Sequence, residues 1–151
     1  MHTNDQQADR LIEDMANDPR LLQLKAFTQH GKVSTYDHSV SVAKMSLKLA
    51  RMLRLRVDSE QLVRGALLHD YYLYDWHNHG DKLHGYHHPD IAADKAGRDF
   101  ALTQREQEII RTHMWPLTLR RIPSSKEAAL VCTADKLCST LETIRGIWEK
   151  C

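Results

Sequence analysis

The stretch LVRGALLHD, residues 62–70, decides how this chain folds. Its apolar residues form two stripes at the three- and four-residue spacing of an α-helix, and His69 and Asp70 are the next members of those stripes. The first stripe holds Leu62 and Ala66, and the second holds Val63 and Leu67. A helix with this pattern turns an imidazole and a carboxyl group toward the protein interior.

Three other polar residues fall on apolar stripes in the same way. His38 opens one stripe, His113 follows a second, and Asp135 follows a third. The apolar neighbours are Val42, Met45, Leu49 and Met52 for His38, Ile109 and Ile110 for His113, and Ala128, Val131 and Cys132 for Asp135. One buried histidine with a backbone partner is ordinary. Several imidazoles and two carboxyl groups drawn from different helices need a further explanation.

Burying such groups without partners costs a few kcal/mol for an imidazole and more for an ionised carboxylate. A divalent cation removes this cost, because it accepts lone pairs from neutral imidazole and balances the carboxylate charge. His69 and Asp70 differ by about 100° around a helix, so both can reach one point near its end. His38 and Asp135 can complete the ligand shell from two other helices. The pattern therefore predicts a buried metal site.

The rest of the chain predicts an all-α fold. Capping pairs mark helix starts at Asp58, Thr103 and Ser124, and no segment alternates apolar and polar residues over the length of a strand. The predicted helices cover residues 5–16, 19–29, 36–55, 58–73, 89–100, 104–114 and 125–148. We expect residues 1–30 to form N-terminal helices packed on a domain of residues 31–151, as one globular unit. Two loops, 74–88 and 115–123, carry five histidines and two arginines respectively.

Composition argues against several classes of function. The 151 residues carry a formal net charge of +1, so a nucleic-acid duplex or an anionic membrane surface is not an expected partner. No apolar run is long enough to span a bilayer, and the polar N-terminus lacks the apolar stretch of a secretory signal. The three cysteines lack metal-finger spacing. We therefore expect reduced thiols and a cytoplasmic protein.

Three segments resemble the HD superfamily of metal-dependent phosphohydrolases, whose signature is a His, a His-Asp doublet and a distant Asp, all on helices. The segments are YDHSVSVA (36–43), ALLHD (66–70) and CTADKL (132–137). The resemblance runs from about Thr35 to Leu141. It implies a single compact helical domain of about six to seven helices, with a metal bound by His38, His69, Asp70 and Asp135.

The resemblance also implies a second cation. Some members of the superfamily bridge two ions with the doublet aspartate and hold the second ion with two more histidines. His88, which precedes Pro89, resembles the first of these histidines, and His113 resembles the second. A site with two ions is our preferred interpretation, with one ion as the alternative. Nitrogen-rich ligation favours Fe, Mn, Co or Ni over Mg alone.

Two parts of the chain, residues 71–73 and Met114, depart from known branches of the superfamily. The branch that cleaves cyclic dinucleotides has a second histidine where this chain has Met114, and a Gly and a Lys soon after the doublet, where this chain reads Tyr71-Tyr72-Leu73. A nucleotidase branch places a Glu at the position of Leu73. The ligand set is therefore matched more closely than the residues that handle phosphate or protons.

The expected function is hydrolysis of a nucleotide or another small phosphoester, with oligomeric state left open. A positioned proton donor would assist the leaving oxygen, and His84 and His87 are the candidates because they lie just before His88. Trp76 is a candidate for stacking a base. Candidates for contacting phosphate are Lys32, Lys82, Arg120 and Arg121.

Two other functions remain open. A few HD-type enzymes use the same ligand order, His, His-Asp, His, His, Asp, to hold two irons that activate dioxygen, and this chain satisfies that order. The residues at Leu73 and Met114 are also compatible with a catalytically silent domain that binds a nucleotide or a partner as a regulator.

Overall fold

A computed structural model describes residues 2–75, 77, 78, 80 and 82–150, without the side chains of residues 2–5. Within this part of the chain the all-α prediction is confirmed, with seven α-helices and one two-stranded sheet. The helices are α1 (His2–Ala16), α2 (Pro19–Leu22), α3 (Thr35–Met52), α4 (Ser59–Leu68), α5 (His84–Phe100), α6 (Gln104–Thr112) and α7 (Lys126–Trp148). A 3₁₀ helix (Gln23–Ala26) and the strands β1 (Thr28–His30) and β2 (Val33–Ser34) lie between α2 and α3.

Side-chain caps set most helix starts. Asp58 and Thr103 each accept a hydrogen bond from the backbone N–H three residues later, and Thr103 forms a complete capping box. The predicted cap at Ser124 is wrong by one residue, because Ser125 caps α7. Ser124 instead donates its backbone N–H and its hydroxyl to the Glu108 carboxylate, at 2.7 and 2.5 Å. This contact joins α6 to the start of α7.

The predicted helix over residues 19–29 is wrong beyond Ala26, because the chain there turns into a hairpin. The strands β1 and β2 pair antiparallel, with Thr28 opposite Ser34. Gly31 makes the turn with a positive φ of 57°, a conformation that glycine adopts without steric cost. The hairpin directs Gln29 into the protein interior, where it is 9 % exposed.

The helix α5 begins five residues earlier than predicted. The sequence places Pro89 in a first turn, but the structure places it in the second, and residues 84–88 belong to the helix. The Leu83 carbonyl accepts the backbone N–H groups of Tyr86 and His87, which starts the helix ahead of the proline. His84, His87 and His88 therefore lie on α5, not in a loop.

The helix α4 lies in the middle of the core and determines where the site falls. Its apolar stripes are fully buried, and it contacts α1, α3, α6 and α7. A Cβ on Gly65 would lie 2.7 Å from the Ile109 side chain, so only glycine lets α6 approach this closely. Because α4 ends at Leu68, His69 and Asp70 emerge at the centre of the helix bundle.

Two further expectations concern membranes and cysteines. Among the described residues, no helix combines the length and the apolar character that crossing a bilayer requires. Cys132 and Cys138 are buried and carry free thiols, as expected. Cys151 lies outside the described residues.

Candidate metal centre

Six residues that the sequence singles out as ligands meet in one buried cluster. They are His38, His69, Asp70, His88, His113 and Asp135, and each is at most 7 % exposed. Their potential ligand atoms fall into two groups in which all atoms lie within 4.8 Å of one another. The first group is His38, His69, Asp70 and Asp135, and the second is Asp70, His88 and His113. Asp70 is common to both groups.

Backbone contacts fix the tautomers of three of the histidines. The Nδ1 atoms of His69, His88 and His113 lie 2.6, 3.0 and 2.6 Å from backbone carbonyl oxygens three or four residues earlier. A carbonyl oxygen only accepts, so each Nδ1 carries the proton. In the neutral rings, each Nε2 then presents a lone pair to the interior. Metal-bound histidines commonly have their second nitrogen held in this way.

Some of the inward-facing atoms are not satisfied by hydrogen bonds. The Nε2 atoms of His88 and His113 lie 2.8 Å apart, so two lone pairs face each other. His69 Nε2 and Asp70 Oδ1 are buried and make no hydrogen bond within the described part of the chain. Buried acceptors without donors are costly, and a shared cation satisfies all of them. The side chains present therefore fit a metal site.

The first group is also electrostatically suited to a cation. His38 Nε2 lies 3.0 Å from Asp135 Oδ1, and its Nδ1 lies 2.8 Å from Glu142 Oε2. Burial lowers the pKa of His38, but these two carboxylates outweigh burial and raise the pKa to about 9. Burial would raise the pKa of Asp135, yet His38 and His69 hold it well below its usual value. A positive charge is thus strongly favoured at this point, and a divalent cation can supply it.

Asp70 stays ionised for the same reason. Burial acts to raise its pKa, but the neighbouring histidines, His69 first, hold the pKa well below its usual value. Its Oδ1 lies 3.2 Å from His88 Nε2, and its Oδ2 lies 3.2 Å from His69 Nε2. The carboxylate therefore faces both groups with one oxygen each.

The two candidate proton donors differ in position. His84 is buried, its ring stacks on His88 with centroids 4.6 Å apart, and its Nδ1 lies 3.0 Å from the Tyr74 hydroxyl. His87, one turn further along α5, is exposed. Of these two histidines, His84 lines the cavity described next, and His87 is not among its described lining residues.

A cavity of about 1070 Å³ opens over the cluster. Four of the six cluster residues line it: Asp70, His88, His113 and Asp135. Its walls also include His30, Lys82, Met114, Leu117 and Lys136. The Lys136 ammonium donates to the carbonyl of His113 at 2.7 Å, which holds a positive charge beside the centre. Arg121, a sequence candidate for phosphate binding, instead pairs with Asp90 at 2.6 Å. Trp76, the candidate for base stacking, lies outside the described residues.

The sequence did not single out Glu142 or Gln29, and both contact the cluster. Glu142 lies seven residues after Asp135, two turns along the same face of α7, and this spacing is a signal that could have found it. Gln29 donates its Nε2–H to Asp70 Oδ2 at 2.8 Å. No local pattern marks Gln29, because its position depends on the hairpin.

The fold and the cluster together define a class: an all-helical domain whose interior holds a His-Asp cluster suited to metal. The family model for the HD domain matches residues 35–140, well over half of the chain, and the chain belongs to the HD domain family. Most members of its superfamily are metal-dependent hydrolases. No curated protein and no solved structure matches the chain.

Proposed function

We propose that this protein is a metal-dependent phosphohydrolase that acts on a nucleotide or another small phosphoester. One observation supports the proposal above the others: Asp70 is shared by two groups of buried ligands whose lone pairs converge. Cations bound there would supply Lewis acidity toward phosphoryl oxygens and would acidify water near neutral pH. The cavity beside the cluster gives a small phosphoester room to approach.

The six candidate ligands divide into two sets, one for each cation. We assign His38, His69, Asp70 and Asp135 to a first divalent ion, and Asp70, His88 and His113 to a second. Four imidazoles among six ligands favour Fe, Mn, Co or Ni over Mg alone.

We assign proton donation to the leaving oxygen to His84, and not to His87. His84 is held between the Tyr74 hydroxyl and the ring of His88, so its orientation is fixed at the cavity wall. A proton donor needs such fixed geometry near the reacting atoms. His87, exposed and outside the cavity wall, serves as the matched comparison.

The test combines metal analysis with hydrolysis assays. Protein purified without added metal is analysed for bound ions, then assayed with an aryl phosphate, an aryl phosphodiester and common nucleotides in several metals. We expect metal-dependent turnover, with Asp70→Asn losing metal and activity together. His84→Gln should lower kcat by about 100-fold or more, while His87→Gln should leave kcat near the wild-type value. Unchanged metal content in Asp70→Asn would show that the site is misplaced.

Two other functions would give different results in the same experiment. An oxygenase with two irons uses the same shared carboxylate, and it would purify with iron and consume dioxygen. A silent regulatory domain is favoured by Leu73, whose side chain packs against the core. The nucleotidase branch of the superfamily places a Glu at this position. Such a domain would bind a nucleotide and turn over no phosphoester in any metal.

A further inference from the structure

A buried hydrogen-bond network reaches Asp70 from the hairpin. Gln29, in the middle of β1, donates Nε2–H to Asp70 Oδ2 at 2.8 Å. Its Oε1 accepts from the Tyr72 hydroxyl at 2.6 Å and from the Thr35 hydroxyl at 3.2 Å. Tyr72 and Thr35 are fully buried, and Gln29 is 9 % exposed. Every polar atom of the Gln29 amide is therefore engaged.

These contacts allow the amide only one orientation. If the amide were flipped, Oε1 would face the Asp70 carboxylate, and two acceptors would lie against each other. The two hydroxyl donors on Oε1 favour the same orientation. Gln29 thus presents a fixed donor to one oxygen of Asp70.

That donor determines which way the carboxylate faces. With Oδ2 held by Gln29, Oδ1 points toward the second group, 3.2 Å from His88 Nε2 and 3.5 Å from His113 Nε2. The terminal torsion of an aspartate is otherwise broad. Without the Gln29 donor, the carboxylate could rotate and present its oxygens to the first group alone.

We propose that Gln29 is a positioning residue that keeps Asp70 in a bridging orientation, so that two divalent cations can bind. This inference rests on the proposed metal site. The second group has three candidate ligands and the first has four. Loss of the bridging orientation should therefore weaken the second cation much more than the first.

The test measures Mn²⁺ binding by calorimetry and by electron paramagnetic resonance on the full chain. Gln29→Met keeps the length of the side chain and removes both hydrogen-bonding functions. We expect second-ion affinity to fall by about 10- to 100-fold, first-ion affinity to change by less than about threefold, and the signal of a coupled Mn²⁺ pair to disappear. Tyr72→Phe, which leaves Gln29 in place with one hydroxyl donor fewer, should produce a smaller change in the same direction.

A matched control comes from another glutamine that donates to an aspartate. Gln61 donates to Asp58 Oδ2 at 2.7 Å on the surface, at the start of α4. Gln61→Met should leave both Mn²⁺ affinities unchanged. The inference is overturned if Gln29→Met binds the second ion as tightly as the wild type, or if both ions weaken equally in step with a loss of thermal stability.

The outcomes also separate this inference from the proposed function. A wild-type protein that binds a single Mn²⁺ and still hydrolyses phosphoesters would overturn the role of Gln29 and leave the hydrolase proposal standing. A protein that turns over no phosphoester but loses its second Mn²⁺ in Gln29→Met would overturn the hydrolase and support Gln29.

Discussion

Removal of the Glu142 carboxylate should weaken metal binding although Glu142 is outside the predicted ligand set. Its Oε2 lies 2.8 Å from His38 Nδ1, and the His38 ring is completely buried. A carboxylate that accepts this proton fixes the ring and increases electron density on Nε2, the atom that faces the first group. Glu142→Gln removes the negative charge, and Glu142→Ala also removes the hydrogen-bond acceptor.

The expected loss of metal affinity in each variant depends on which hydrogen-bond acceptor remains for His38. Partners of this kind change metal affinity by about 10- to 100-fold when they are removed. Glu142→Gln keeps an acceptor oxygen and loses the charge, so we expect a fall of about tenfold, equivalent to about 1.4 kcal/mol. Glu142→Ala also leaves the buried His38 N–H without its acceptor, so we expect a fall of about 100-fold, or about 2.7 kcal/mol.

The assay is competition for Co²⁺ or Mn²⁺ against a chelator of known affinity, at fixed pH. The control is Glu149→Gln, which removes a carboxylate from the same end of the chain. Glu149 pairs with Lys32 at the surface, at 3.2 Å, so its loss should leave metal affinity unchanged. A role for Glu142 in metal binding is refuted if Glu142→Ala binds metal within twofold of the wild type, or if the Glu149 control weakens binding equally.

Other predictions concern stability, measured by thermal or urea unfolding. Gly65→Ala should destabilise the protein by about 1–3 kcal/mol, because the new Cβ would lie 2.7 Å from the Ile109 side chain. Gly97→Ala places its Cβ with nothing within 4 Å and should stabilise the protein by about 0.5–1 kcal/mol. Effects of the same sign in the two variants would contradict the packing around Gly65. Thr103→Ala breaks a capping box and should cost about 1 kcal/mol, and no loss would argue against that cap. For His38, burial lowers the pKa, but two carboxylates raise it to about 9 from 6.5. The contacts of protonated His38 with these carboxylates should therefore stabilise the metal-free protein in full below pH 6.5. This stabilisation should be lost as the pH rises through about 9. A melting temperature that stays constant over this range would contradict the raised pKa of His38.

The sequence predicted those parts of the site that depend on local periodicity. His69, Asp70, His113 and Asp135 each follow an apolar stripe, and a stripe alone indicates that the next member faces inward. Gln29 could not be found this way, because it reaches Asp70 through a hairpin that pairs only five residues of the chain. Contacts between distant segments leave no periodic signal.

The start of α5 shows a different limit. The sequence predicts Pro89 in the first turn of a helix, because a missing backbone N–H is harmless there. In the structure the Leu83 carbonyl accepts two backbone N–H groups, and the helix starts five residues earlier. A proline restricts where a helix can begin but does not fix it. His84 therefore changes from a loop residue to a helical residue stacked on His88.

The direction of two helices adds a reason for the cluster to attract cations. The helices α4 and α6 both end at the cluster, and His69 and His113 are the residues that follow their last turns. Carbonyl groups in a last turn lack intrahelical partners, and here two of them accept the Nδ1–H groups of these histidines. The same helix ends carry partial negative charge, which favours a cation within about one turn. The bundle thus turns both the imidazole lone pairs and two helix dipoles toward one point, and it does so through residues that belong to the core.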